Sequence, residues 1–431
     1  MTGTPTERMA RFRWLPPGTR PPVPLPQRQE LVFLLAGTVL IFSGYDLNIF
    51  GLALPQIQKD LFIPEDMAGL TVSLFRIAAL PALLIALSAD VLGRRRVLLL
   101  TIFGETFFTI ATSFARSYEE FVILQVLTRV FGYCEELLCF VVIAEEIDAA
   151  ARGWSIGVLG AMGAVGAGLA SIVFAAVNIL PYGWRALYAI GGAALLVLAY
   201  FRRRLPETRR FEERRRELAA LGSRASAALD ALRHLARDYP GRLAALVTML
   251  FAFGFAAGPA TVLMSKYLQQ THHYAPHQVT LLYLCGGLIS VAGNVLSGRL
   301  SDPLGRKPVI FFCALCCGGG FALFFSGIEG WVLPAAWIVA LFGYLSADAL
   351  MAGFAVEIFP TKYRATMSGI RYFTSTLGGA IGLGLEGLWY DLFHAHGPAI
   401  AVSLAAIPLA LAAILFLPEA ARKKLEDISN A

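Results

Sequence analysis

The sequence predicts an all-helical protein that crosses a lipid bilayer twelve times, in two repeated halves of six helices. Three observations predict this fold: an apolar composition, long apolar runs, and a charged motif that occurs twice. The 431 residues are 57% hydrophobic and only 15% charged, whereas a soluble domain has about 25% charged residues. The apolar residues form long runs, and a helix needs about 20 of them to cross the hydrocarbon layer.

Twelve apolar runs have the length of a membrane-spanning helix. Lipid offers the backbone no hydrogen-bond partners, so only helices or closed barrels span it, and the alternating pattern of barrel strands is absent. We expect helices 1 to 12 at residues 31–54, 67–89, 97–115, 120–144, 154–178, 184–201, 243–266, 278–298, 308–328, 333–356, 366–388 and 398–417.

Polar stretches divide the chain into five segments. We expect a cytosolic tail at 1–28, a six-helix bundle at 29–201, a cytosolic linker with amphipathic helices at 202–242, a second bundle at 243–418 and a cytosolic tail at 419–431. The first segment lacks the apolar core and cleavage site of a signal peptide, so helix 1 should remain in the membrane. The linker's arginines are not interleaved with stacking aromatics, so we expect no nucleic-acid partner.

Basic residues are concentrated in the two tails, the linker and the loops that share a side with them. This bias matches the positive-inside rule and places both termini in the cytosol, with the protein in the plasma membrane or bacterial inner membrane. The same topology places four basic residues in the outward loops, which are Lys59, Arg116, Arg185 and Lys266.

A charged motif joins helices 2 and 3 and returns between helices 8 and 9. The sequence DVLGRR at Asp90–Arg95 corresponds to DPLGRK at Asp302–Lys307, 212 residues later. The same offset relates a Glu and an Arg seven residues apart in each half. Two copies with matched partners indicate an internal duplication.

These repeated charges suggest ion pairs that hold a cytosolic gate closed and separate when the halves rock apart. The glycines permit the tight turns, and the aspartates lie where helices end. Charges that only fix membrane topology are the alternative. The residues expected at the cytosolic gate are Asp90, Gly93, Arg94, Arg95, Glu145, Arg152, Asp302, Gly305, Arg306, Lys307, Glu357, Arg364 and Arg371.

Several charged residues fall within the apolar runs, where a bare charge costs at least ~2.5–3.5 kcal/mol, so they invite a functional interpretation. Arg76 could instead close an outer gate, Glu105 could pair structurally, and Glu386, near the outer end of helix 11, could be solvated. Glu135 and Glu136 point about 100° apart, so one of them should face the cavity. The residues expected in a proton-coupling or substrate cavity are Asp46, Arg76, Glu105, Arg129, Glu135, Glu136 and Asp348.

No metal, cofactor or catalytic site is expected. The Cys313-x-x-Cys316-Cys317 cluster lies in an apolar run without polar neighbours, so its cysteines should pack. No hydrolase triad order, HExxH or P-loop is present, which argues against an enzyme. The histidines of the outer loops are expected to be solvated; these are His272, His273, His277, His394 and His396.

Helices 5 and 11 are rich in glycine, including the repeat-related pairs Gly157 with Gly369 and Gly166 with Gly378. Glycine faces let helix backbones approach closely and slide. A moving seam between the halves and ordinary tight packing are both compatible with this pattern.

Taken together, the motifs resemble those of the major facilitator superfamily over about residues 31–418. The repeated DxxGR[RK] motif is similar to the family's signature between helices 2 and 3. Gly44-Tyr45-Asp46 is similar to an element of sugar porters and aromatic-acid proton symporters. Two further elements resemble those branches: Glu357-Ile-Phe-Pro360-Thr361-Lys-Tyr-Arg364 after helix 10 and Leu205-Pro206-Glu207-Thr208 after helix 6.

This resemblance implies a monomeric secondary transporter that moves a small organic solute, such as an organic or aromatic acid or a sugar, together with protons. It also implies that Asp46 carries the proton and pairs with an arginine on helix 4. Arg129 is the candidate for this arginine. Gln125 occupies the position where the family has its arginine, and Arg129 lies four residues later, ~6 Å along the helix. Efflux of lipophilic compounds and a non-transporting solute receptor are the alternatives.

Overall fold

The protein is described by a computed structural model that covers residues 20–21, 23–147, 149–203, 233–360 and 363–419. Most of the predicted tail at 1–28, most of the linker at 202–242 and the tail from 420 onward therefore lie outside the described residues. The same holds for Pro206 to Thr208, Thr361, and the side chains of Asp90, Arg152 and Arg364.

The described residues form helices throughout, which confirms the all-helical prediction. The predicted helix 2 is two helices joined at Ala78, and the predicted helix 12 is likewise two. In chain order the helices are α1 Gln27–Leu61, α2 Met67–Ile77, α3 Ala79–Leu92, α4 Arg94–Thr112, α5 Tyr118–Glu146, α6 Ala149–Phe174, α7 Trp184–Arg202, α8 Pro240–Gln270, α9 Pro276–Leu304, α10 Arg306–Phe324, α11 Val332–Glu357, α12 Arg364–Phe393, α13 His396–Leu404 and α14 Ile407–Leu415.

Within the described ranges, nine helical stretches are long and apolar enough to cross a membrane. Two of them combine short helices, α2 with α3 and α13 with α14. The helices outside this group, α4, α5 and α12, have 19, 29 and 30 residues and are long enough to span. They carry most of the charges predicted to lie within the membrane, which lowers their hydropathy.

Packing divides the described residues into two compact units. The first unit contains the described parts of Met1–Leu52 and Ala78–Leu221, and the second those of Ala53–Ile77 and Gly222–Ala431. The second unit thus includes the end of α1 and all of α2, which the sequence assigns to the first bundle. Close backbone contact explains this, because a Cβ added to Gly69 would lie 2.3 Å from the Leu383 carbonyl oxygen of α12.

Equivalent glycines form the turns of the repeated motif. Gly93, between α3 and α4, has φ 102°, and Gly305, between α9 and α10, has φ 105°. Side chains other than hydrogen are strained in this region, so each turn requires glycine. The two halves therefore share a backbone conformation as well as a sequence motif.

A second repeat-related pair of glycines has one member in each unit, and each member packs against a neighbouring helix of its own unit. A Cβ on Gly166 of α6 would lie 1.9 Å from the Ile41 carbonyl oxygen of α1, and one on Gly378 of α12 would lie 2.3 Å from the Phe251 carbonyl oxygen of α8. These helices meet backbone to backbone at these points. Tight packing, one of the two alternatives for the glycine stripes, thus accounts for Gly166 and Gly378.

Candidate functional site

One face of α4 organises the buried polar residues of the first unit. Thr101, Glu105 and Thr109 are spaced four residues apart, so they lie on the same face, and the eight residues that separate the first from the last rise ~12 Å. All three are buried. Each contacts a polar side chain from α1 or α5, so α4 carries a line of hydrogen bonds through the bundle.

Asp46 lies near one end of this line. The residue is 1% exposed, and its Oδ1 accepts a hydrogen bond from Thr109 Oγ1 at 3.3 Å. Arg129 of α5 comes to the same level, since its Nη1 donates to the carbonyl oxygen of Leu47 at 3.2 Å. Gln125 instead points into the bundle, where its Nε2 donates to Thr112 at 3.2 Å.

Glu105 occupies the middle of the line. Its Oε1 accepts a hydrogen bond from Ser43 Oγ of α1 at 2.8 Å. On the other side, a Cβ on Gly132 of α5 would lie 3.1 Å from the same oxygen. The second oxygen, Oε2, is buried and has no hydrogen-bond partner within the described ranges. The carboxylate is therefore enclosed by α1 and α5 with one oxygen unsatisfied.

Glu135 and Arg202 form a buried ion pair at the other end of the line. Arg202 Nη1 lies 2.5 Å from Glu135 Oε1, with side chains 2% and 0% exposed. Thr101 Oγ1 also donates to Glu135. The sequence places Arg202 in the linker, but it is the last residue of α7. Helical spacing could have found it, because Leu195 and Ala199 lie on the same buried face.

Of the two adjacent glutamates on α5, Glu135 makes these contacts and is fully buried, while Glu136 is half-buried. This division follows from the angle of about 100° between successive helical side chains. In the second unit, Asp348 and Arg371, assigned separately to cavity and gate, form an ion pair at 2.5 Å. Arg76 lies against α12, because a Cβ on Gly379 would be 2.5 Å from its Nη1.

The predicted gate residues form matching ion pairs in the two units. Arg94 Nη2 donates to Glu145 Oε1 at 3.1 Å, and Arg306 Nη2 donates to Glu357 Oε1 at 3.2 Å. Both pairs are separated by 51 residues. Arg306 Nη1 also lies 2.9 Å from Asp302 Oδ1.

Two further basic residues of the predicted gate, Arg95 and Lys307, bind backbone carbonyls. Arg95 Nη2 donates to Arg203 at 2.9 Å, and Lys307 Nζ donates to Leu415 at 3.0 Å. Sequence reasoning missed Glu419, whose oxygens accept the backbone N–H groups of Arg306 at 2.8 Å and Lys307 at 3.1 Å. A carboxylate in this position caps the positive end of α10.

The second unit holds a cluster of charges at the opposite end from Arg306. Glu65 binds Lys266 and accepts a hydrogen bond from Gln270 at 3.3 Å. His396 joins two carboxylates, with Nδ1 2.7 Å from Glu386 and Nε2 3.5 Å from Glu65. The expectation of solvation is wrong for Glu386 and His396, whose side chains are 0% and 12% exposed. Lys266, predicted to lie in an outward loop, belongs to α8, and its side chain is 1% exposed.

The contacts of Glu65 change its acidity. Burial, the largest single effect, raises the pKa of Glu65, but hydrogen bonds from His396 and Lys266 and their charges outweigh burial and lower the pKa to about 2. The carboxylate is therefore ionised at neutral pH and holds the end of α8 and the start of α13 to the loop before α2.

A cavity of about 440 Å³ opens beside this cluster. It is lined by Glu65, Tyr267, Gln270, Thr271, Phe325, Ser326, Gly327, Tyr390 and His394 to Pro398. Within the described part of the chain, no group of three or more His, Cys, Asp and Glu residues could hold a metal ion. The six cysteines are free thiols, and Cys313 and Cys317 are buried by packing.

The helical fold, the duplicated charged turns and the buried carboxylates define a membrane transporter that crosses the bilayer many times. The chain belongs to the Major Facilitator Superfamily, whose family profile matches residues 36–274 and 244–430. Its fold is similar to the crystal structure of a D-xylose-proton symporter, with a TM-score of 0.77 and 18% identity over 92% of this chain and 99% of that chain. The predicted family and its twelve-helix fold are thus confirmed, and the chain is a transporter rather than an enzyme.

Curated relatives match nearly the whole chain. A probable 4-methylmuconolactone transporter of Cupriavidus pinatubonensis is 25% identical over 97% of this chain and 96% of its own length. The gallate transporter of Pseudomonas putida is 26% identical over 89% of this chain and 92% of its own. The 4-hydroxybenzoate transporter of Pseudomonas aeruginosa is 27% identical over 85% of this chain and 88% of its own.

Proposed function

We propose that this protein imports a small ring-bearing organic acid together with protons, by alternating access. The observation that carries the proposal is the buried Asp46, with Arg129 hydrogen-bonded to the next residue of α1. A buried carboxylate near an arginine can gain and lose a proton during a transport cycle, whereas a buried charge without a function is unfavourable. Asp46 takes the proton, and Arg129 binds the carboxylate of the solute or stabilises ionised Asp46.

The names of three relatives support this class of solute. Gallate and 4-hydroxybenzoate are aromatic carboxylates, and 4-methylmuconolactone is a small cyclic compound. A guanidinium binds a carboxylate through two parallel hydrogen bonds, so an arginine suits an acid better than a sugar. We further propose that the protein acts as a monomer in the plasma or bacterial inner membrane, with both termini in the cytosol.

Uptake into proteoliposomes tests the proposal. With acidic medium outside, radiolabelled 4-hydroxybenzoate should accumulate above equilibrium, its addition should cause proton uptake, and xylose should not compete. Asp46→Asn should abolish accumulation but retain exchange of internal and external solute. Asp60→Asn, the same change at an exposed position of α1, is the matched control. Accumulation by Asp46→Asn at the wild-type level would refute the role of Asp46, and uptake without proton movement would refute symport.

A further inference from the structure

Two buried carboxylates of the first unit, Glu105 and Glu135, have no part in the role proposed for Asp46. Three residues of α4, each four residues from the next, mark the positions of these two acids and Asp46. Thr109 contacts Asp46, Glu105 is the second acid and contacts Ser43, and Thr101 contacts Glu135. Each interval of four residues rises ~6 Å along the helix. The three carboxylates therefore descend in steps from Asp46 toward the Arg94 end of α4, the cytosolic end in the predicted topology.

Glu105 has the surroundings of an intermediate proton carrier. Ser43, which donates to its Oε1, precedes Asp46 by one turn of α1. Its Oε2 is buried without a hydrogen-bond partner, and no basic side chain of the described residues lies within ion-pair distance. A structural glutamate normally has both oxygens satisfied when buried. A carboxylate with one unsatisfied oxygen can receive a proton without breaking another contact.

The Glu135–Arg202 pair lies where the line of acids ends. Arg202 is the last residue of α7, and the next residue, Arg203, is exposed. Protonation of Glu135 removes the negative charge that holds Arg202. When that proton leaves, the ion pair forms again, which favours ionised Glu135 and therefore loss of the proton.

We propose that Glu105 and Glu135 relay the coupling proton from Asp46 to the cytosol, an inference that rests on the proton coupling proposed above. First, the O–H bond of protonated Asp46 breaks and an O–H bond forms on Glu105, which leaves ionised Asp46 near Arg129. The proton then passes to Glu135 and is released at the cytosolic face. A water molecule or a rotation of the Glu105 side chain spans the gap between successive carboxylates. Chains of buried acids form proton pathways in pumps and transporters.

The test separates proton release from solute movement. Proteoliposomes carrying Glu105→Gln are assayed with radiolabelled 4-hydroxybenzoate for gradient-driven accumulation and for counterflow. Counterflow returns the loaded transporter without releasing a proton, so the relay predicts that Glu105→Gln retains counterflow while accumulation falls to the equilibrium level. Glu105→Asp keeps the acid but shortens its reach, so coupled uptake should be slowed with counterflow unchanged.

Thr106→Val is the matched control, because Thr106 is buried on the same helix and, among the described residues, its hydroxyl donates to the backbone carbonyl of Ile102 at 2.6 Å and to no side chain. It should behave like wild type in both assays. Normal accumulation by Glu105→Gln would overturn the relay. Loss of counterflow by Glu105→Gln, in protein that unfolds at the wild-type temperature, would also overturn it, because Glu105 would then serve solute binding or the conformational change. If wild-type protein takes up no protons with solute, the proposed symport fails instead, whatever Glu105→Gln does.

Discussion

Arg306 of α10 binds Glu357 of α11 through two hydrogen bonds, from Nε at 3.0 Å and from Nη2 at 3.2 Å. In the first half, Arg94 binds Glu145 with the same pair of nitrogens, at 3.5 and 3.1 Å. Each pair joins the helix that begins after a glycine turn to the end of the next long helix. The duplication has therefore preserved this ion pair in the structure as well as the charged motif in the sequence.

Glu357→Gln should lower the free energy of unfolding by roughly 1 kcal/mol. A hydrogen bond to a charged group contributes about 1.5–3 kcal/mol when buried, but partial exposure reduces this. The side chains of Arg306 and Glu357 are 23% and 33% exposed. Thermal unfolding of purified protein measures the loss, with Glu329→Gln at an exposed loop as the control.

The reversed pair Arg306→Glu with Glu357→Arg provides the sharper test of this interaction. Each single change places like charges together and should destabilise the protein, while the double variant should recover part of the loss. If the double variant is no more stable than the sum of the single effects predicts, the two side chains are not coupled.

Gly166→Ala and Gly378→Ala should each destabilise the protein by about 1–3 kcal/mol or more, the usual range for overpacking. The added methyl would lie 1.9 and 2.3 Å from backbone oxygens of the neighbouring helix, and backbone cannot move aside as a flexible side chain can. Thermal unfolding of the two variants should show losses of similar size, since the positions are equivalent by repeat.

Gly157→Ala and Gly369→Ala are the matched controls, one in each half and again repeat-related. Among the described residues, no atom of a neighbouring segment lies within 4 Å of a Cβ at either position, so alanine should be neutral or stabilise by about 0.4–1 kcal/mol through lower entropy of the unfolded chain. Equal destabilisation at all four glycines would contradict the packing argument.

The features predicted from sequence are those that depend on neighbouring residues. Apolar runs predict the helices, because a helix in lipid satisfies the hydrogen bonds of its own backbone. The turns at Gly93 and Gly305 are predicted by a local motif. The sequence predicts the buried carboxylates Asp46, Glu105 and Glu135, because a charged residue within an apolar run can be recognised without knowledge of the fold. Their partners were harder to predict, since Thr109, Ser43 and Arg202 lie 62 to 67 residues away in the chain.

The cluster formed by Glu65, Lys266, Glu386 and His396 shows why some buried charges cannot be predicted from the sequence. Lys266 and Glu386 lie near helix ends, where a sequence suggests solvation, and nothing local shows that each has a buried partner. Glu65 is 201 residues from Lys266 and 331 from His396. Close packing of α2 and α8 against α12 brings these segments together, and those contacts depend on glycine backbones rather than on a charge pattern.

Glu65→Gln should weaken the protein in a pH-dependent way. A carboxyl with an unfolded-state pKa near 4.5 and a folded-state pKa of about 2 stabilises the fold above pH 4.5, and this contribution is lost as pH falls toward 2. The difference in unfolding temperature between wild type and Glu65→Gln should thus shrink as the pH falls below 4.5. A difference that grows as the pH falls below 4.5 would mean that Glu65 is not held ionised by its neighbours.

Breaking the Glu135–Arg202 pair should be among the most destabilising single changes in the first unit. Removing one partner of a buried ion pair leaves an uncompensated charge and costs about 3–5 kcal/mol. Glu135→Leu and Arg202→Met should each approach that loss in thermal unfolding. An apolar replacement of a whole pair is often neutral, so the double variant should regain most of the stability. It should still fail to accumulate solute, because the acid at the end of the relay is gone, and a stable double variant with wild-type coupling would exclude Glu135 from the proton path.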